Sequence, residues 1–306
     1  MPEPARPAAL SRSETPGTEG DRPVGRIQGW LAVLAPEFGR PHLEVALVLV
    51  TVCLSLGLLE YYGKPYYYPP SRVPSEEHIT EIRNTAADLR AQYPDALDWE
   101  SNSIGGSRHR FALAPFIWWA GACALTYALL PLAIALLITR GRLREVGWLG
   151  LSPRGFLRHF WIYLVLLALV APAVLIASHS REFRDTYPFC LIAHLSLRDW
   201  LVFEACYLFQ FLCLEIFFRG FMLFTLERHM GRYAVLVMIV PYCMIHFGKP
   251  FPEAMGAIVA GLVLGELALR LRSIWGGVVL HCLVAISMDI LSMYHTGSLE
   301  ILLSPK

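Results

Sequence analysis

The chain has 306 residues, 55% of them apolar and 17% charged, and 26 basic against 25 acidic side chains leave a formal net charge of +1. Soluble domains carry about 25% charge, so this balance points to an integral membrane protein. It excludes a disordered chain, a nucleic-acid binder driven by net positive charge and, with seven cysteines and no CxxC pair, a disulfide-stapled domain, a zinc ribbon or a thioredoxin-like site.

The first ~26 residues are rich in Pro, Arg, Ser, Gly and Glu, a composition that buries too little surface to order itself. They lack the apolar stretch of a cleavable signal peptide. Ile27 to Phe38 reads as a short amphipathic piece on the membrane surface. Residues 1–41 are therefore expected to form a disordered or interfacial cytoplasmic segment.

Seven apolar runs follow: Leu43 to Leu59, Phe111 to Thr139, Phe160 to Ala177, Trp200 to Leu226, Ala234 to His246, Ala254 to Leu269 and Ile274 to Met293. A span needs roughly 20 apolar residues, so most are long enough and the fifth is short. Each run is continuous rather than alternating, which predicts helices and not barrel strands. The expected fold is an all-α, polytopic transmembrane helix bundle of about seven spans. Residues 42–199 would hold three spans and 200–306 a core of four. Trp118, Trp119, Trp148, Trp161, Trp200 and Trp275 fall near run ends, as interfacial anchors do. The connection at 60–110 opens with Tyr61, Tyr62, Tyr66, Tyr67 and Tyr68, which suit an interfacial belt better than a ligand box, and continues with a helix start at Ser75-Glu76-Glu77-His78. Arginines of the short connections, among them Arg140, Arg142, Arg144, Arg228, Arg232, Arg270 and Arg272, place the amino terminus on the cytoplasmic side.

A charge at the bilayer centre costs at least ~2.5–3.5 kcal/mol, so ionisable residues deep in the spans mark where chemistry is expected. The fourth run holds Glu215 and Arg219, the fifth ends in His246 and the seventh holds His281, while Glu204, Glu266 and Asp289 lie closer to span ends. Glu215 and Arg219 are four apart and can pair on one helix face. At about 1.5 Å per residue, Glu215, His246 and His281 lie ~17, ~18 and ~11 Å from the inner face. A carboxylate and two imidazoles at comparable depth on three helices suit a hydrolytic site. The carboxylate accepts a proton from water, a histidine orients that water or donates to the leaving amine, and the second histidine or Arg219 stabilises an oxyanion. Paired alone, Glu215 and Arg219 are equally well read as a packing salt bridge.

These residues carry a resemblance. Leu214-Glu215-Ile216-Phe217-Phe218-Arg219-Gly220 resembles the EExxxR motif of the CPBP family, the CAAX-processing and bacteriocin-processing (Abi) membrane proteases. Tyr242 to His246 is similar to its FxxxH motif, and His281 to Ala285 to its HxxxN motif. The similarity covers roughly Trp200 to Met293 and implies a glutamate-dependent intramembrane endopeptidase with a helical core. It implies catalysis by Glu215 as base, His246 for water orientation or general acid, His281 for the oxyanion and Arg219 to keep Glu215 ionised. The partners implied are the bilayer and a membrane-associated protein or peptide substrate, with no nucleic acid, in the cytoplasmic (inner) membrane of a bacterium. Leu214 stands in place of the family's first glutamate and Ala285 in place of its asparagine. Either Glu215 takes the base role, or the site is kept for binding as an inactive membrane scaffold. Asp289 either orients His281 or caps the outer end of its helix. No cofactor is expected; if a divalent metal is used, Glu215, His246 and His281 are its ligands. No HExxH and no GxSxG occurs, so neither a zincin nor a serine nucleophile elbow is indicated.

Overall fold

The computed structural model describes residues 40–82, 84 and 108–303. The amino-terminal segment, its amphipathic piece and the middle of the 60–110 connection lie outside the described residues. All regular structure among the described residues is helical. Six helices are long and apolar enough to cross a membrane: α1 (Pro41–Gly63), α2 (Ala114–Ile138), α3 (Phe160–Ser178), α4 (Leu197–Met230), α6 (Phe251–Leu271) and α7 (Trp275–His295). Between them α5 (Tyr233–Met244) is apolar but has 12 residues. It reaches only ~18 Å, short of the ~30 Å hydrocarbon core. The expected fifth span is thus a short helix that stops at Met244 and turns through His246 to Pro250, where a positive φ of 88° falls on Gly248. The chain is an integral, multi-pass membrane protein.

The helices are held by complementary shapes. α5 and α6 run antiparallel and pack intimately because Gly261 and Gly265 present no side chain: a Cβ at either would come within 3.0–3.2 Å of Tyr242, Ile239, Val235 or Met238. Small residues let backbones approach where no hydrophobic drive separates helix from lipid. Gly256, on the same helix, faces open space. α7 packs against both α3 and α4, and α4 also packs along α2. The central core gathers Phe217, Phe218, Phe221, Met222 and Phe224 of α4, with Tyr127 of α2 stacked on Phe217 at 4.5 Å between centroids. Midway along α4 the α-helix gives way to a π-helical stretch, Ile216–Leu223, immediately after Glu215. Such widened turns are frequent at functional sites, though α1 and α2 contain them too, at Leu59–Gly63 and Ala124–Leu129.

One end of the bundle collects the short-connection arginines. Arg228 bonds to Glu145 at 3.4 Å, His229 contacts Glu44 at 3.1 Å, and Arg272 bonds to Glu227 at 2.5 Å. At the other end Arg110, which would weaken the charge asymmetry, serves a different purpose. Its guanidinium is spent on main-chain carbonyls, donating from Nε to Phe189 O at 2.9 Å and from Nη2 to Asp185 O and Pro188 O at 3.3 Å. Burial holds this guanidinium below its ordinary value, opposed by Cys190 and Asp185. It clamps the connection ahead of α4 onto the start of α2, and Cys190 beside it is fully buried although it lies in a connection between spans. Ser75 caps its helix as expected, its Oγ accepting from the His78 amide at 3.2 Å. Tyr61 and Tyr62 are exposed, as an interfacial belt requires.

Candidate functional site

Glu215 is the last α-helical residue before the π-helical stretch of α4. It has no exposed surface, nor does Arg219. A bare carboxylate or guanidinium in such a place would be prohibitive, and each answers the other: Arg219 Nη1 donates to Glu215 Oε1 at 3.0 Å. Arg219 also lies flat against the Tyr242 ring, with Cζ 4.1 Å from its centroid, a cation–π contact strengthened by burial.

α7 brings His281 to the same carboxylate. His281 Nδ1 lies 2.8 Å from Glu215 Oε1. The distance is short, yet the approach is poorly aligned for a hydrogen bond, and Nδ1 has no other partner. We therefore treat this as an imidazole and a carboxylate in contact rather than as an aligned donor–acceptor pair. The other ring nitrogen, Nε2, is hydrogen-bonded with the Tyr242 hydroxyl at 3.0 Å. Phe211, one turn before Glu215, stacks on the His281 ring with planes 5° apart.

His246 joins through Tyr242. Its Nδ1 lies 2.8 Å from the Tyr242 carbonyl oxygen, and the two rings are 4.9 Å apart. A carbonyl only accepts, so Nδ1 carries the proton and Nε2 keeps its lone pair. His246 is partly exposed, as is His281, whose side chain is 18% accessible. The site thus has a sealed floor, Glu215 and Arg219, and a more open rim, His281 and His246.

Glu215, Arg219 and His281 come together directly, and His246 is linked to them by one residue. Leu214 is buried in the apolar core and Ala285 is buried beside Tyr207 and Phe203. Asp289 neither approaches His281 nor caps the end of α7. It is fully buried on the side of α7 that faces Glu204 of α4, and no oxygen of either carboxyl has a hydrogen-bond partner. Tyr242, which the sequence marks only as the start of the motif ending at His246, touches Arg219, His281 and His246. Gly277 was not legible: a Cβ there would sit 2.5 Å from Glu215 Oε2, so only glycine leaves that oxygen its place.

The donor set was tested for a metal ion. Glu215 and His281 form a pair, the Nδ1 of His246 is already spent, and among the described residues no three His, Cys, Asp or Glu side chains cluster to hold an ion. No step is derived through one.

Residues 196–287, which hold every residue of this site, match the family model described as Type II CAAX prenyl endopeptidase Rce1-like. This segment is similar to that family. The match begins beside α4 and ends within α7, so the family likeness covers the four helices that build the site and leaves α1 to α3 outside it. No curated protein and no solved structure matches the chain.

Proposed function

We propose that the chain is an intramembrane endopeptidase that hydrolyses a peptide bond of a membrane-associated protein or peptide, with its amino terminus on the cytoplasmic face. The observation that carries the reading is the meeting of Glu215 and His281, from two separate helices, at 2.8 Å beside a guanidinium paired with the same carboxylate. A pair placed for packing alone needs no imidazole.

In this mechanism Arg219 occupies Oε1 of Glu215, and Oε2, which has no protein partner, is the basic atom. It takes a proton from water as the water oxygen bonds to the substrate carbonyl carbon. His246 accepts the other water hydrogen at Nε2 and thereby aims the oxygen. The oxyanion is met by the Tyr242 hydroxyl, which donates to it while accepting from His281 Nε2–H, so that His281 acts on the oxyanion through Tyr242. Collapse breaks the C–N bond, and the proton on Glu215 passes to the leaving amine. The family description names prenylated CAAX tails, which make a prenylated carboxy-terminal peptide the first substrate to try, ahead of leader peptides and carboxy-terminal anchors.

A second reading, a non-catalytic binding protein, is favoured by one observation: Glu215 is sealed, with an apolar Leu214 beside it. Mass spectrometry of peptides incubated with the purified chain separates the two. Cleavage by the wild type that falls by about 10²-fold or more in Glu215→Gln and in His246→Ala supports the protease. Capture of the peptide without cleavage supports the binding protein, and cleavage undiminished in Glu215→Gln overturns the mechanism.

A further inference from the structure

On the membrane-facing side of the bundle, away from Glu215, α3, α5 and α6 part to leave a groove of about 910 Å³. Its walls are aliphatic, with Leu166 from α3, Leu236 from α5 and Val263 from α6 among them. Its mouth is not. Arg232, just before α5, and Arg270, in the last turn of α6, both reach Glu266. Arg232 donates from Nε to Glu266 Oε2 at 3.1 Å and Arg270 from Nε to Oε1 at 2.5 Å. Two guanidiniums over one carboxylate leave a net positive charge. Both arginine side chains are about two-thirds exposed, at 69% and 63%. A guanidinium carries five N–H donors, so most of theirs remain directed outward.

We infer that this groove is a binding site for an anionic glycerophospholipid of the surrounding bilayer, its phosphate held by Arg232 and Arg270 and one acyl chain laid along Leu166, Leu236 and Val263. The charge and the shape select the same molecule. A zwitterionic lipid offers the same chain but brings an ammonium group to a mouth that is already positive. A soluble anion would use the mouth and leave the aliphatic walls bare. Glu266 has a positioning role, because accepting from both arginines fixes their Nε edges inward and turns the remaining donors to the headgroup level. Basic pockets between helices at a membrane surface take anionic headgroups for this reason.

The test is native mass spectrometry of the purified full chain, incubated with phosphatidylglycerol or phosphatidylcholine of matched acyl chains. The wild type should retain phosphatidylglycerol by about fivefold or more over phosphatidylcholine, the preference expected from one net charge at the surface. Arg232→Gln with Arg270→Gln should remove that preference, and Val263→Trp, which fills the groove and spares the arginines, should lower retention of phosphatidylglycerol. Equal retention of the two lipids by the wild type overturns the proposal and depends on no variant folding. A preference that survives the arginine changes, or retention unmoved by Val263→Trp, overturns the headgroup and the acyl-chain assignments respectively.

Discussion

α3 and α4 are both apolar enough to cross a membrane, yet they are built for different surroundings. Most of α3 faces outward: Leu164, Leu169, Leu175 and Ile176 are all exposed, and no Asp, Glu, Lys or Arg occurs between Phe160 and Ser178. Half of α4 is buried, and it carries Glu204, Gln210, Glu215 and Arg219 on its inward side. Lipid accepts Leu, Ile and Val on any face and forbids an unpaired charge, so α3 carries no charged group, and its Tyr163 and Ser178 are buried against protein. α4 can hold charges because helices, not lipid, surround it. The helix with charges in its apolar run is therefore the central one, and the most uniformly apolar helix is the peripheral one.

The contrast is sharpest at Arg219. Replacing it by alanine leaves Glu215 as a buried carboxylate with only the poorly aligned His281 for company. Breaking a buried pair from one side costs about 3–5 kcal/mol, and the chain should unfold at clearly lower temperature in a thermal melt of detergent-purified protein. A melt within a degree of wild type would mean that α4 does not depend on its charges.

Next in size is Gly277→Ala. The added methyl would lie 2.5 Å from Glu215 Oε2 and 2.7 Å from Cδ, so either the carboxylate or α7 must shift. Overpacking of this kind costs about 1–3 kcal/mol. The melt should drop by less than in Arg219→Ala, while peptide cleavage should fall as far as in Glu215→Gln, because the oxygen displaced is the one assigned as base.

Tyr242→Phe sharpens the comparison on the rim. The ring stays over Arg219 and the carbonyl stays with His246, so only the hydroxyl bond to His281 is lost. A hydrogen bond is worth about 1 kcal/mol net. Stability should change by no more than that, and cleavage should fall more than stability does if the hydroxyl meets the oxyanion. Equal, small changes in both would confine Tyr242 to packing.

These residues also mark what was legible in the sequence. Helices and their order follow from continuous apolar runs, and Glu215, Arg219, His246 and His281 stand out because each is a costly residue inside such a run. Spacing alone pairs Glu215 with Arg219, since both lie on one helix. What spacing does not carry is contact between helices. Tyr242 and Gly277 are ordinary membrane residues until α5 and α7 are laid against α4, and Asp289, which on its own helix looks aligned with His281, turns instead to Glu204 across the interface. The shortness of α5 was visible as a short run. That it ends in a turn carrying His246 followed from Gly248 and Pro250, which stop the helix before it has crossed.

The smallest effect is expected on α3, and it closes the comparison from the other side. Leu169 is 70% exposed and touches lipid rather than protein. Leu169→Ala removes no contact that folding creates, because the side chain has the same hydrocarbon around it whether or not the helices are assembled. Stability read from the melt should stay within about ±0.5 kcal/mol of wild type, as is typical of substitutions away from the core, and cleavage should be unchanged. A clear loss of stability would place another surface over Leu169, and α3 would then be a packed helix like α4 rather than the peripheral one its uniform composition indicates.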